Sequence, residues 1–262
     1  MNPLKPARRL AGKMIRAVPW LRRQWYVSTD YRLSSEAEIR AAAPKGWWSP
    51  LAARRQERAY LGLLAEMRAG RPREDLSIAA QAVDALGRSE VSLLEVGCGS
   101  GYYKEIFEQL SRTRLAYIGI DYSPAMVARA RTRYPGADFR QMDATALEFS
   151  VGAFDVTFNG VSLMHILDWR KAVAESRRVA RLACIFHSVP VFPARATAYI
   201  QKYAYGAPVE EIVFNRGELL ACFASNGLKV AQSWTGLPYD VHAVAGEHSF
   251  AETFLCIPEG QV

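Results

Sequence analysis

Apolar residues recur along this chain with two different periods, and the change between them falls near residue 88. In "LKPARRLAGKMIRAV", Leu4, Ala7, Leu10, Ala11, Met14 and Val18 share one arc at about 100° per residue, with five cations on the opposite arc. Pro19 ends that pattern. Helical spacing resumes behind two start signals. Ser35-x-x-Glu38 has the form of a capping box, and Ser49-Pro50 puts proline at a first helical position. The second of these helices runs through "LAARRQERAYLGLLAEMRA" to Gly70, and "EDLSIAAQAVDAL" predicts another, closed by Gly87. Residues 1–88 therefore predict a helical N-terminal cap.

Beyond residue 88 short apolar runs alternate with amphipathic ones. This rhythm predicts strands near 91–96, 115–120, 137–140, 154–159 and 183–188, with helices near 102–111, 124–133 and 168–181. A helix over about 216–226 precedes two final strands near 228–234 and 250–257. Strand–helix alternation means an α/β domain with a parallel sheet, here over residues 89–262.

Charge changes the picture only once it is located. Of 33 basic residues, seven fall in the first 25 positions with no acid among them, so the other 26 face 26 acidic residues. The net charge of +7 thus belongs to one segment, whereas a nucleic-acid-binding face spreads its cations over the folded domain. No nucleic-acid partner is expected. The basic, apolar segment over residues 4–18 fits a helix packed on its own domain, peripheral contact with an anionic membrane, or a cleaved organellar presequence. No run of about 18 apolar residues predicts a membrane span. Cys98, Cys184, Cys222 and Cys256 are far apart, which argues against a zinc site and suits a reducing cytoplasm.

The candidate chemistry begins at "LLEVGCGSGYY", where Gly97, Gly99 and Gly101 remove three Cβ atoms from five residues between a strand and a helix. Such a loop admits a nucleotide-type ligand, which in an open sheet sits at the carboxyl ends of the strands. The other strand ends are also polar. Asp121 ends "RLAYIGID", twenty residues beyond Gly101, where a carboxylate can accept from both hydroxyls of a ribose. Asp143 follows the third strand, placed to accept from an exocyclic amine, and Asn159 ends the fourth.

With these residues in place, the chain resembles the class I S-adenosylmethionine-dependent methyltransferases, in their small-molecule (type 11-like) branch. The resemblance rests on "LLEVGCGSG" (93–101), "IGIDYSPAMVARAR" (118–131), "RQMDATAL" (140–147) and "FDVTFNGVSLMHILDWRKAVAESRRV" (154–179), and covers about residues 90–190. It implies a Rossmann-like, doubly wound sheet of seven strands with the last antiparallel. It also implies S-adenosyl-L-methionine as cofactor and a small-molecule acceptor. Glu95 would help hold the methionine ammonium, Gly97, Gly99 and Gly101 would admit the methionine and ribose, and Asp121 would take the ribose hydroxyls. Tyr122 and Met126 would flank the adenine, Asp143 with Ala144 would read its amino edge, and Asn159 would close the cofactor site.

Two rivals remain at this level. One is a nicotinamide-dependent oxidoreductase, although Tyr103 and Lys104 follow Gly101 where a dinucleotide loop tightens into its helix. The other is a non-catalytic, membrane-associated S-adenosylmethionine-binding partner. Methyl transfer to oxygen needs a base, and His165 and His187 are the candidates, ahead of His242 and His248. No N-P-P-aromatic tetrapeptide follows the fourth strand, which disfavours amino methylation of nucleobases or glutamine, and no second acid there supports a metal-dependent, catechol-like arrangement. Acceptor specificity is expected from outside the matched core, at "GWWSP" (46–50), "YIQKYAYG" (199–206) and "WTGLPYDVHAV" (234–244). Residues 211–228 resemble the tail of methyltransferases linked to surface polysaccharides, which implies a sugar or lipid-linked acceptor.

Overall fold

Residues 18, 19, 23, 27–42 and 45–260 are described by the computed structural model. The amphipathic stretch over 4–18, all but its last residue, lies outside them. The chain then runs through strand β1 (Ser28–Ser34), helix α1 (Glu36–Ala42) and a single 3-10 turn at Gly46–Trp48. Helices α2 (Pro50–Arg68) and α3 (Glu74–Asp84) follow. Ser49 caps α2, its side chain accepting from the Ala52 amide ahead of Pro50, as the sequence predicts. The expected all-helical cap is corrected at β1. The segment "STDYRLS" forms a strand, bulged at the left-handed Asp30 (φ 58°), because a partner strand from much later in the chain pairs with it.

The α/β core starts at β2 (Glu90–Val96) and continues through α4 (Tyr102–Leu110), β3 (Arg114–Asp121), α5 (Pro124–Arg133), β4 (Asp138–Gln141) and β5 (Phe154–Gly160). A 3-10 turn at Leu163–His165 leads to α6 (Trp169–Val179) and the long strand β6 (Ala180–Phe192). Strands β7 (Ala198–Ala204) and β8 (Ala207–Asn215), helix α7 (Arg216–Ser225), strand β9 (Leu228–Thr235), the short helix α8 (His242–Ala245) and β10 (Phe250–Pro258) complete it. Pairing runs β4–β3–β2–β5–β6 in parallel, and β10 inserts antiparallel between β6 and β9. Chain order reverses at β2, whose two neighbours are β3 and β5. This switch point is where open α/β sheets bind ligands.

Strands buried on both faces tend to read as continuous apolar runs. β6 does so over residues 183–186, whereas β5, "FDVTFNG", is almost wholly buried yet alternates apolar and polar residues. One face packs α3 and α4 through Leu76, Val83, Ile106, Phe107 and Phe158. The other packs α6 and α7 through Trp169, Phe186, Phe223 and Phe254.

A second, antiparallel sheet grows from the carboxyl end of β6. Val191 and Phe192 pair with Phe214 and Asn215, and β8 turns back from β7 through Tyr205 and Gly206, at φ 52° and 83°. Two consecutive left-handed residues make the tight turn whose twist matches its strands. β1 pairs with the free edge of β7. The 3-10 turn of the N-terminal segment is pressed onto this sheet, since a Cβ on Gly46 would sit 1.9 Å from the Pro208 carbonyl oxygen and 2.8 Å from Val209 Cγ1.

That contact sets a test. Gly46→Ala should cost about 1–3 kcal/mol, the range for forcing a methyl into closed packing. Gly62→Ala, on the open face of α2 with nothing within 4 Å of the new Cβ, should stabilise by about 0.5–1 kcal/mol. Urea midpoints of the two variants check the pair. Equal effects would mean that the N-terminal segment is not seated on the hairpin.

Candidate functional site

A cavity of about 570 Å³ opens at the carboxyl ends of β2, β3, β5 and β6, within the size range of small-molecule sites. Its floor on one side is the glycine loop. The amides of Gly97 and Cys98 both donate to the Ile120 carbonyl, at 2.8 Å each, and the Gly99 amide donates to Asp121 Oδ2 at 2.9 Å. These bonds curl the loop onto the end of β3. The curl needs left-handed backbone, with φ of 74° at Gly97 and 54° at Gly99. A Cβ on Gly97 would also lie 2.4 Å from Ser162 Cβ. Glycine is therefore required twice over, by conformation and by approach.

Asp121 is buried in the cavity wall. Oδ2 takes Gly99 and Oδ1 takes the Ser123 amide at 2.8 Å, and no ion-pair partner appears among the described residues. Burial pushes its carboxyl up to about 6, against the pull of those two amides. Each oxygen keeps a second acceptor direction, so the arrangement suits two neutral O–H donors, as in a ribose diol. Ser123 caps α5 and also donates to the Trp47 carbonyl at 2.7 Å, tying the 46–48 turn to this loop. Gly97, Gly99, Asp121, Tyr122, Met126, Asp143 and Ala144 all line the cavity. The exposed Tyr122 stands edge-on to Trp48 at 6.0 Å, and Asp143 Oδ1 accepts from both the amide and the hydroxyl of Thr145.

The opposite wall is built by the added sheet and the loops that face it. His165 lines it, its Nδ1 2.7 Å from the Glu210 carbonyl oxygen. A carbonyl only accepts, so Nδ1 carries the proton and Nε2 keeps its lone pair. Burial pushes the imidazole down to about 3, helped by the charge of Lys202, and the ring stays neutral. Trp47 meets it edge-on at 4.9 Å. Lys202 on β7 pairs with the fully buried Glu211 on β8, which also accepts from the Tyr239 hydroxyl. Burial lowers the Lys202 ammonium to about 7. Val161, just past β5, and Ser188, within β6, line the cavity at φ 57° and 52°, a costly conformation for a β-branched valine.

Four expected site residues do not line the cavity. Glu95 is fully buried beneath the glycine loop, where Oε2 accepts from the Tyr117 hydroxyl and Oε1 has no partner among the described residues; burial holds its carboxyl up near 8. Gly101 faces α5 and β4, where a Cβ would lie 2.7 Å from Phe139 and 3.2 Å from Ala130, so its role is packing. Asn159, in β5, is fully buried against α6 and donates to Ser176 Oγ at 3.3 Å. His187 is enclosed by Phe158 and Tyr103 and bonds Thr253 Oγ1 at 2.9 Å, and burial pushes it down to about 4.

Other wall residues carried no motif. Gln56 on α2 leans over the loop, its Oε1 3.3 Å from the Ser100 amide, and Arg73 makes a two-pronged bond to Asp75 at 2.6 Å on each prong. Lys202, Tyr205, Glu210 and Glu211 sit in a hairpin whose sign in the sequence is the alternation on either side of Tyr205–Gly206.

Residues 94–186 match the family model described as a methyltransferase domain. A probable S-adenosylmethionine-dependent methyltransferase of Mycolicibacterium smegmatis is 35% identical over 94 residues, which are 36% of this chain and 35% of that protein. A demethylmenaquinone methyltransferase of Renibacterium salmoninarum is 31% identical over 124 residues, 45% of this chain and 51% of that protein. Among solved structures, magnesium protoporphyrin IX methyltransferase from Synechocystis with bound S-adenosylhomocysteine superposes with a TM-score of 0.51. It is 16% identical, and the match covers 70% of this chain and 80% of that one. The chain carries a class I S-adenosylmethionine-dependent methyltransferase domain with a Rossmann-like α/β fold. It spans about a third of the length of the mycobacterial relatives it matches.

The buried Glu95 makes stability depend on pH. Its folded pKa, about 8, lies above its ordinary value of 4.5. The folded state then binds more protons than the unfolded one, so this group lowers stability as pH rises from 4.5 to about 8 and no further above that. Glu95→Gln keeps the acceptor for Tyr117 and removes the charge. Its urea midpoint should fall less than the wild-type midpoint between pH 5 and pH 8.5. Parallel pH slopes would show that the Glu95 carboxyl is not desolvated.

Proposed function

We propose that the chain transfers a methyl group from S-adenosyl-L-methionine to a small-molecule acceptor, at an oxygen atom. One observation carries this reading: a single cavity joins the glycine loop and Asp121 to a polar chamber roofed by a sheet that the core fold does not need. The donor set fits the cofactor. Among the described residues no cation pairs with the buried Asp121, which suits hydroxyl donors, and Glu95 Oε1 under the loop has no partner, while Gly97 and Gly99 leave the loop open to close approach. Asp121 would hold the ribose, Tyr122, Met126, Asp143 and Ala144 the adenine, and Glu95 the methionine ammonium from below the loop.

The bound cofactor supplies a methyl group already activated by its positive sulfur. What remains for the protein is to align an acceptor oxygen, exclude water and receive a proton. Trp47, Tyr205 and Met164 give the chamber apolar surface, while His165 and Lys202 give it polar points. Relatives named for menaquinone and protoporphyrin substrates agree with a small-molecule acceptor. Among the described residues no helix is long and apolar enough to cross a membrane. All four cysteines are free and buried, in keeping with a cytoplasmic enzyme.

S-adenosylhomocysteine in large excess should raise the melting temperature, because a ligand that binds only the folded state stabilises it by mass action, and NAD should leave it unchanged. Asp121→Ala should weaken S-adenosylhomocysteine binding by about 2–3 kcal/mol, the scale for hydrogen bonds to a charged group. Titration calorimetry on the folded variant measures it. Stabilisation by NAD alone would replace this reading with a nicotinamide enzyme.

A further inference from the structure

One carboxylate of the chamber wall has an oxygen with no partner among the described residues. Glu210, on β8, is 6% exposed, lines the cavity, and has no hydrogen-bond partner for Oε2 among the described residues. A buried, unsatisfied carboxylate costs stability, so its presence calls for a donor that arrives with a ligand. Its position is fixed by three neighbours. Its own carbonyl holds the His165 ring, its strand is closed by the Tyr205–Gly206 turn, and its charge reaches the Tyr122 phenol beside Asp121. It thus faces the cofactor half of the cavity from the acceptor half.

We propose that Glu210 is the group that takes the acceptor's proton, and that the acceptor is a neutral molecule presenting a hydroxyl to the Glu210 carboxylate. This deepens the methyltransferase reading and rests on it. In the step, the acceptor oxygen bonds to the methyl carbon, the S–CH₃ bond breaks with its electron pair returning to sulfur, and the acceptor proton moves to the Glu210 carboxylate. Solvent later removes that proton. Burial raises the Glu210 carboxyl to about 7, in the range where a general base works at neutral pH, whereas His165 is held near 3 and His187 lies outside the cavity wall. Histidine is the expected base from the sequence, and the hairpin supplies a better-matched one.

Charged and titratable groups reach Glu210 or its neighbours from several elements among the described residues. His165, from the 3-10 turn, bonds the Glu210 backbone carbonyl, and Tyr122 lies in the loop after β3. Lys202 comes from β7 with its partner Glu211, which also accepts from Tyr239. Gln201 stands opposite Glu210 in the sheet and accepts from Arg32 of β1, and the 46–48 turn brings Trp47, which has no titrating group.

The test needs no acceptor. S-adenosylmethionine carries a sulfonium and S-adenosylhomocysteine a neutral thioether, and they share the ribose and amino-acid ends. The ratio of their affinities therefore cancels the titrations of Asp121 and Glu95 and reads the charge that faces the sulfur. Calorimetric affinities for both ligands are measured at pH 5.5 and pH 8.5 on wild type, Glu210→Gln and Glu210→Ala, each shown to be folded by a cooperative melt. In wild type the preference for S-adenosylmethionine should grow about tenfold with pH, the effect of a one-unit drop in the Glu210 pKa beside a cation. Both variants should show a flat ratio. A ratio that rises equally in the variants assigns the titration to Lys202 or its partner and overturns the proposal, as does a flat wild-type ratio. Absence of binding by both ligands would instead overturn the cofactor reading itself.

Discussion

Everything in this molecule hangs on the way the end of β3 holds the loop after β2. Three amides of that loop are spent on β3, two on the Ile120 carbonyl and one on the Asp121 carboxylate. The bonds force a left-handed curl that only glycine adopts without strain, and the curl leaves a side-chain-free floor at the switch point of the sheet. Asp121 serves both ends of this arrangement. It ties the loop down with one set of lone pairs and keeps another for the ligand, and the cost is a buried carboxylate whose pKa is pushed up to about 6.

The second half of the site is an addition. β6 runs past the core sheet and carries β8, β7 and β1 on its end, and this small antiparallel sheet brings Lys202, Glu210 and Glu211 into the interior. Burying three charged side chains with one ion pair between them is poor stability engineering, since desolvation offsets the Coulombic gain. The left-handed Val161 and Ser188 lie in the same wall. Strain and an unsatisfied carboxylate oxygen thus occur together where an acceptor would sit, at Val161, Ser188 and Glu210. The turn at Gly46–Trp48 closes the chamber, touching the hairpin at Pro208, the cofactor loop at Ser123 and the His165 ring.

The core was legible in the sequence because its signals are local. The strand ends Glu95, Asp121 and Asn159, the caps Ser49 and Ser123, and the period change near residue 88 each depend on a few neighbouring positions. The antiparallel sheet was not, because β1 and β7 pair across more than half of the chain and neither run announces its partner. The aromatic stretch over 199–206 reads as acceptor-side material, and only its alternation as a strand, continued past Tyr205–Gly206, points to Glu210 and Glu211. Motif reading also places residues at a site without saying which face they take. Gly101 packs against Phe139, and His187 is walled in by Phe158 and Tyr103, facts of tertiary packing that a linear pattern does not carry.

The central claim is that one cavity seats an S-adenosyl cofactor on the glycine loop with its sulfur turned toward the added sheet. A crystal structure of the complex with S-adenosylhomocysteine tests it most directly. The account predicts ribose hydroxyls on the Asp121 carboxylate and the thioether sulfur open to the chamber between His165 and Glu210. Density for the ligand away from the Gly97–Gly101 loop, or a sulfur directed away from the β7–β8 hairpin, would contradict it.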